Sequence, residues 1–250
     1  MKFKLIGCEV FTRPVYLAAA NSKNIIDMEF TKVRSHLKPD DLRKEIQNII
    51  DRSEEQYDAL LLGFGLCGNS TAGLVARSVP IVIPRAHDCC TIFLGSRAAF
   101  QEHFGQTLSA QWSTSCYYER YGSWYSDNVV SLLSEEQNGD YADLVEKYGE
   151  ENAQYIWETL NVSTGIDFLT YIEIPGMADN DIKEAFVKHA AEAGKKLRFI
   201  EGSTRLIDKL LAGEWTDEEF LLIPPGAEIK PIYDHDRVMG LQTDNNLKET

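Results

Sequence analysis

Asp58-Ala59-Leu60-Leu61-Leu62 runs straight into Gly63-Phe64-Gly65-Leu66-Cys67-Gly68-Asn69-Ser70. A short unbroken apolar run that ends at glycine reads as a strand buried on both faces, as in a parallel sheet. A helix through Ala72–Arg77 is predicted to follow it. Working outward, Lys2–Cys8, Asn24–Phe30 and Val79–Ile83 read as further strands, the last ending at Pro84. Between them fall helical stretches. Phe11–Ala20 is short, with Pro14 confined to its first turn. Pro39–Asp51 carries Leu42, Ile46, Ile49 and Ile50 on one stripe, with Asp40 or Asp41 as cap. Asp88–Phe104 carries Ile92, Phe93, Leu94, Ala98, Ala99 and Phe100.

The alternation resumes beyond a different middle. Phe168–Ile174, Lys196–Ile200 and Phe220–Ile223 read as strands, the last closed by Pro224-Pro225-Gly226. Asp179–Ala193 and Thr204–Leu211 read as helices. Lys2–Cys8, Asn24–Phe30 and Leu60–Gly65 match Phe168–Ile174, Leu197–Ile200 and Phe220–Gly226 as a faint repeat. The expected fold is α/β: parallel sheets with helices on both faces, in two similar Rossmann-like lobes around a cleft. The lobes are placed at 1–105 and 166–230, with a mobile tail at 231–250. Residues 106–165 form an inserted helical and aromatic section, dense around Tyr117, Tyr118, Tyr121, Trp124 and Tyr125 and acidic around Glu146, Glu150 and Glu151.

Charge and length bound the function. The chain has 250 residues, enough for a sizeable core without disulfides. Its 39 acidic against 25 basic residues give −14, which repels phosphate backbones and anionic membrane surfaces. No apolar run approaches the ~20 residues of a membrane span, and the start is too short for a signal-peptide core. A soluble, cytoplasmic protein that handles a small molecule is expected, with no nucleic-acid or membrane partner and with oligomerisation left open. The five cysteines, an odd count, argue against a disulfide framework.

Ligands of parallel sheets sit beyond the carboxyl ends of the strands. Cys8 ends the first strand, Cys67 follows the third, and His87 and Cys89 follow the fourth. Three strand ends thus deliver soft donors to one rim. In extended backbone His87 and Cys89 point the same way, so imidazole and thiolate can share one ion. Such donors suit zinc first and a [4Fe-4S] cluster second. The plainer reading is a helix-capping or core histidine beside buried free thiols. Cys90 reads as packing, and Cys116 is either plain or covers the site.

The remaining candidates surround that rim. Gly63-Phe64-Gly65-Leu66-Cys67-Gly68 imitates a dinucleotide loop but follows the third strand. Gly65, Gly68, Asn69, Ser70 and Thr71 are candidate substrate-binding positions, because free N–H groups at a helix start attract anions. Arg85 is a candidate clamp for a carboxylate or phosphate, the alternative being a surface arginine. Glu9 is a candidate general base, the alternative being a solvated or capping carboxylate. Asp88 reads as a helix cap.

Gly7-Cys8-Glu9-Val10, Gly63–Asn69, Pro84-Arg85-Ala86-His87-Asp88-Cys89 and Ile223-Pro224-Pro225-Gly226 together resemble the domain-of-unknown-function family numbered 1638, over about residues 2–230. The resemblance implies an anaerobic metabolic setting, often beside corrinoid-dependent methyltransferases, and carries over Cys8, Cys67, His87 and Cys89. Many relatives have an apolar residue where this chain has Cys90. The site alone is also similar to that of thiol-activating zinc methyltransferases, which use an H-x-C pair and a distant Cys on an unlike barrel fold.

Three functions follow as expectations. The first is a metal-dependent enzyme acting on a small thiol, methylated or anionic substrate in one-carbon or sulfur metabolism, with methyl transfer one such reaction. The second is a non-catalytic accessory protein that binds a corrinoid, a metal or a partner methyltransferase. The third is a Cys-nucleophile hydrolase with His87 as base.

Overall fold

The computed structural model describes residues 1–53, 56–105, 111–122, 168–232 and 237–242, with positions 145 and 150. The chain divides into two compact units. One comprises Met1–Gly105, Ile174–Met177 and Gly202–Thr250, the other Gln106–Glu173 and Ala178–Glu201. The architecture is mixed α/β with mostly parallel sheets.

In the first unit β1 (Lys2–Cys8), β2 (Ile25–Thr31), β3 (Ala59–Gly63) and β4 (Ile81–Pro84) lie in the spatial order β2-β1-β3-β4, all parallel. Every residue of β3 and β4 is buried, as their unbroken apolar runs require. A 3-10 turn (Glu9–Phe11) leads into α1 (Thr12–Asn21), and α2 (Pro39–Asp51) connects β2 to β3. The predicted stripe of α2, Leu42, Ile46, Ile49 and Ile50, joins Ile6, Leu60, Leu62, Ile81 and Ile83 in one core.

Phe220–Ile223 is a strand, but not of a second lobe. As β8 it pairs antiparallel with β4, Ile81 opposite Ile223 and Pro84 opposite Phe220. The repeat therefore breaks at its third strand. A four-residue apolar run carries no mark of direction, and the chain enters β8 from α7 (Arg205–Ala212), whose apolar face of Leu206, Ile207, Leu210 and Leu211 is buried in this unit.

Residues 70–77 are not helical. Gly73 sits at φ +84°, and the segment spends its backbone groups on the chain's end: Gly73 N–H donates to Ile229 O at 2.8 Å and Ala76 N–H to Ala227 O at 3.0 Å. The expected helix 88–104 splits into α3 (Cys89–Leu94) and α4 (Arg97–Phe104). Gly95 (φ +79°) makes the break, and a Cβ there would lie 2.6 Å from Ser203 Cβ. Ser96 then caps α4. β9 (Glu228–Pro231) and β10 (Met239–Gln242) pair antiparallel, with Met239 fully buried; β10 falls within the stretch 231–250.

The second unit holds a parallel sheet in the order β5 (Trp112–Ser113), β6 (Phe168–Glu173), β7 (Lys196–Glu201). The insertion thus supplies an edge strand, followed by α5 (Ser115–Tyr121) capped by Thr114. Tyr171 of β6 packs against Phe186 of α6 (Asn180–Glu192) in its core, the rings tilted by 47°. Trp124, Tyr125, Glu146 and Glu151 lie outside the described residues. Among those described, no helix is long and apolar enough to cross a membrane.

Candidate functional site

The carboxyl ends of β1, β3 and β4 are adjacent in the sheet. Neighbouring strands are ~4.8 Å apart, so three consecutive ends share a rim ~10 Å wide. Gly7 pairs with Gly63; Cys8 is the last residue of β1, still paired with β2, and Phe64 is the first residue beyond β3. The loops after β3 and β4 are then joined: Leu66 N–H donates to Ala86 O and Cys67 N–H to His87 O, both at 2.8 Å. Gly65 permits this. A Cβ there would lie 2.8 Å from Ala86 O and from Asp88 N, closer than real contacts allow. Cys67, Gly68 and Asn69 all adopt left-handed backbone, at φ +47°, +63° and +68°. Gly68 and Asn69 fill the central positions of a tight turn closed by Ser70 N–H donating to Cys67 O. Cys67 joins them at a cost of ~1–2 kcal/mol for a non-glycine residue.

Cys8, Cys67 and Cys89 are each partly buried and free of disulfides, whereas Cys90 is fully buried, as its reading as packing requires. Burial pushes the Cys67 thiol up to about 12, and the Asp88 and Cys8 charges add to this. Burial likewise pushes Cys8 up to about 12; a hydrogen bond with the Val10 backbone opposes the rise and the Glu9 charge adds to it. Cys89 is raised by burial first, then by Asp88, Cys67 and Cys8. Burial is the largest cause at all three cysteines, with the Asp88 charge next at Cys67 and Cys89. Asp88 caps α3, accepting from Thr91 N–H at 3.0 Å and from the Thr91 hydroxyl at 3.1 Å. Burial raises its pKa, against those hydrogen bonds and the His87 charge. Among the described residues no three His, Cys, Asp or Glu side chains stand as a ready group for a metal ion.

Several candidates are committed elsewhere. The Glu9 carboxylate accepts from Val33 N–H at 2.8 Å and pairs with Lys32 at 3.2 Å, which fastens the β2–α2 loop. Arg85 is 8% exposed and its guanidinium faces the far end of the chain. It donates to Asp217 O at 2.7 Å, to the Asp217 carboxylate at 2.9 Å, and to Arg237 O and Met239 O. Ser70 Oγ donates to Cys67 O at 2.7 Å and Thr71 Oγ1 to Gly65 O at 3.1 Å, while Asn69 O accepts from Arg43. With residues 70–77 non-helical, no helix start faces an anion there. These five loop residues shape the turn that presents Cys67.

The family described as Protein of unknown function (DUF1638) matches residues 30–211, more than half of the chain. The chain belongs to this family. The DUF1638 match takes in Cys67, His87 and Cys89 and begins beyond Cys8. No curated protein and no solved structure matches the chain.

Two residues of this DUF1638 protein escaped the sequence reading. Thr31 ends β2 opposite Cys8 and is 1% exposed, yet its hydroxyl has no hydrogen-bond partner among the described residues. His36, in the loop after β2, has its pKa lowered by burial and by the Arg34 charge. The signal for both was positional only: they follow or end a strand that borders β1.

Proposed function

We propose that the rim formed by Cys8, Cys67, His87 and Cys89 is a soft-metal site, zinc being the first choice and an iron–sulfur cluster the second. The observation that supports this reading is the joining of the β3 and β4 loops, with the Cys67 backbone bonded to that of His87, beside the strand that ends in Cys8. A divalent ion at that rim would offset the burial that disfavours the thiolates. Because no ready ligand group stands there, binding draws the loops inward, and the affinity reports that cost.

A metal of this kind supplies one thing: it makes a bound thiol or water nucleophilic near neutral pH. The chain's own residues do the rest. Cys67 is aimed by its left-handed turn, Asp88 fixes the start of α3 that carries Cys89, and Gly65 keeps the two loops in contact. The proposed activity is on a small thiol, methylated or anionic substrate in one-carbon or sulfur metabolism, with methyl transfer as one such reaction. The accessory reading, a protein that binds a corrinoid or a partner methyltransferase, uses the same rim without turnover. The Cys-nucleophile reading is not favoured, because a nucleophilic thiol needs a lowered pKa and here burial and Asp88 act the other way.

Protein purified without oxygen should carry about one zinc ion, or one cluster with visible absorption, per chain. Cys67→Ala and Cys89→Ala should each lose it. A wild-type protein with well under one metal per chain, and unchanged when supplied with zinc or iron and sulfide, would remove the reading. Turnover of a methylated thiol separates the enzyme from the accessory protein.

A further inference from the structure

Thr31 ends β2 and leads straight into Lys32-Val33-Arg34-Ser35-His36-Leu37-Lys38, the connection to α2. No Asp or Glu stands between Glu29 and Asp40, whereas this stretch carries Lys32, Arg34, His36 and Lys38, in a chain whose net charge is −14. The bordering carboxylates already have cations: Glu9 pairs with Lys32, Asp40 with Arg43 and Asp41 with Lys44. With Arg34 and Lys38 the balance around the connection is positive. Burial, and then the Arg34 charge, lower the His36 pKa, so one more cation is disfavoured there. The Thr31 side chain faces the side to which the connection crosses. Thr31 and Cys8 are register partners and project from one face of the sheet, and on that face Cys8 packs with Ile6 and with Leu42 and Ile46 of α2. Thr31 is 1% exposed, and its Oγ1 has no hydrogen-bond partner among the described residues. A buried hydroxyl without a partner destabilises the fold, and valine would fill the same space without that penalty. Packing alone therefore does not account for threonine at this position.

We propose that the β2–α2 connection is an anion site that takes a phosphate group, with Thr31 donating a hydrogen bond to one phosphate oxygen and Arg34 and Lys38 supplying the countercharge. The connection follows the carboxyl end of a parallel strand, where ligands of such sheets sit. A phosphate dianion answers both cations at once, which a carboxylate does not. Because Thr31 Oγ1 is buried, the connection moves aside to admit the oxygen, and binding is felt along Lys32–Lys38. The site uses none of the cysteines and stands apart from the soft-metal reading.

The test is titration of the purified chain with inorganic phosphate at constant ionic strength, followed by backbone amide signals in nuclear magnetic resonance and by thermal melting. In the wild type phosphate should saturate, move the amides of residues 32–38 and raise the melting temperature. Thr31→Val should melt higher than the wild type without phosphate and bind it about tenfold more weakly, as the loss of one hydrogen bond to a charged group requires. Thr31→Ser should bind phosphate near the wild-type affinity, and Lys38→Gln should weaken it by a factor of about two to five. Acetate, the carboxylate probe, should bind more weakly than phosphate. If valine does not fold, Thr31→Ala takes its place in the titration. Shifts that never saturate or that scatter over the surface, an affinity unchanged in Thr31→Val, or acetate binding as tightly as phosphate would each overturn the inference. None of these results bears on metal binding at the thiol rim.

Discussion

Gly65→Ala tests the joint between the two loops most directly. The added Cβ would meet Ala86 O and Asp88 N at 2.8 Å and Asp88 Cα at 3.0 Å, all of them backbone atoms. No side-chain rotation relieves such contacts, so the loops must part. Parting them weakens the Leu66–Ala86 and Cys67–His87 hydrogen bonds. Two such bonds at ~1 kcal/mol each, with ~1–3 kcal/mol of overpacking, put the loss at about 3–5 kcal/mol. Gly68→Ala is the control. Nothing lies within 4 Å of its Cβ, and only the left-handed backbone costs, ~1 kcal/mol. Urea unfolding measures the difference, and hydrogen exchange at the Leu66 and Cys67 amides locates it. Gly65→Ala should lose protection at those two amides while Gly68→Ala keeps it. Equal stabilities with unchanged exchange would refute the argument that a close backbone approach forms the rim.

Further outcomes follow from other contacts. Arg85→Met leaves the carbonyls of Asp217 and Met239 without their arginine donor, while Arg237 O keeps the Met239 N–H, and should cost about 2–5 kcal/mol in urea unfolding. Metal content per folded chain should stay unchanged in that variant, and its loss would show that Arg85 serves the rim. The Glu219 carboxyl is raised by burial but pulled further down by Lys209 and Arg205, so its folded pKa lies below the ordinary 4.5. Its contribution is present above 4.5 and lost as pH falls through the folded value, so Glu219→Gln should flatten the acid limb of a stability–pH curve. His36 is held neutral by burial, its folded pKa below 6.5, so stability should fall as pH drops beneath 6.5. His36→Gln should remove that part of the decline, as chemical denaturation across the range will show.

The strands of the first sheet were legible because unbroken apolar runs such as Ala59–Leu62 leave few alternatives to a buried strand. Helix α2 was legible from its stripe, and its observed bounds are the predicted ones. The direction of β8 was not, since Phe220–Ile223 reads the same from either end. The stretch 70–77 misled because its small residues tolerate a helix, while the pairing with 226–229 is decided by chain more than a hundred residues away. That Cys8, Cys67 and Cys89 sit at or just beyond the ends of β1, β3 and β4 was readable from the strand ends alone. Whether a polar side chain is already engaged was not readable. Arg85 and Glu9 look poised for chemistry and are tied to the scaffold, whereas Thr31 looks ordinary and its buried hydroxyl has no partner among the described residues.

Arg85 reaches a carbonyl 152 positions downstream, and β4 is covered on one side by a strand that follows it by more than a hundred residues. On the ribosome the sulfur-bearing half therefore emerges long before the residues that complete its sheet. Through that interval the thiols face the cellular milieu unshielded, and oxygen then threatens them more than it threatens the finished molecule. Yield of reduced protein should depend on how oxidising the host is during translation rather than during storage.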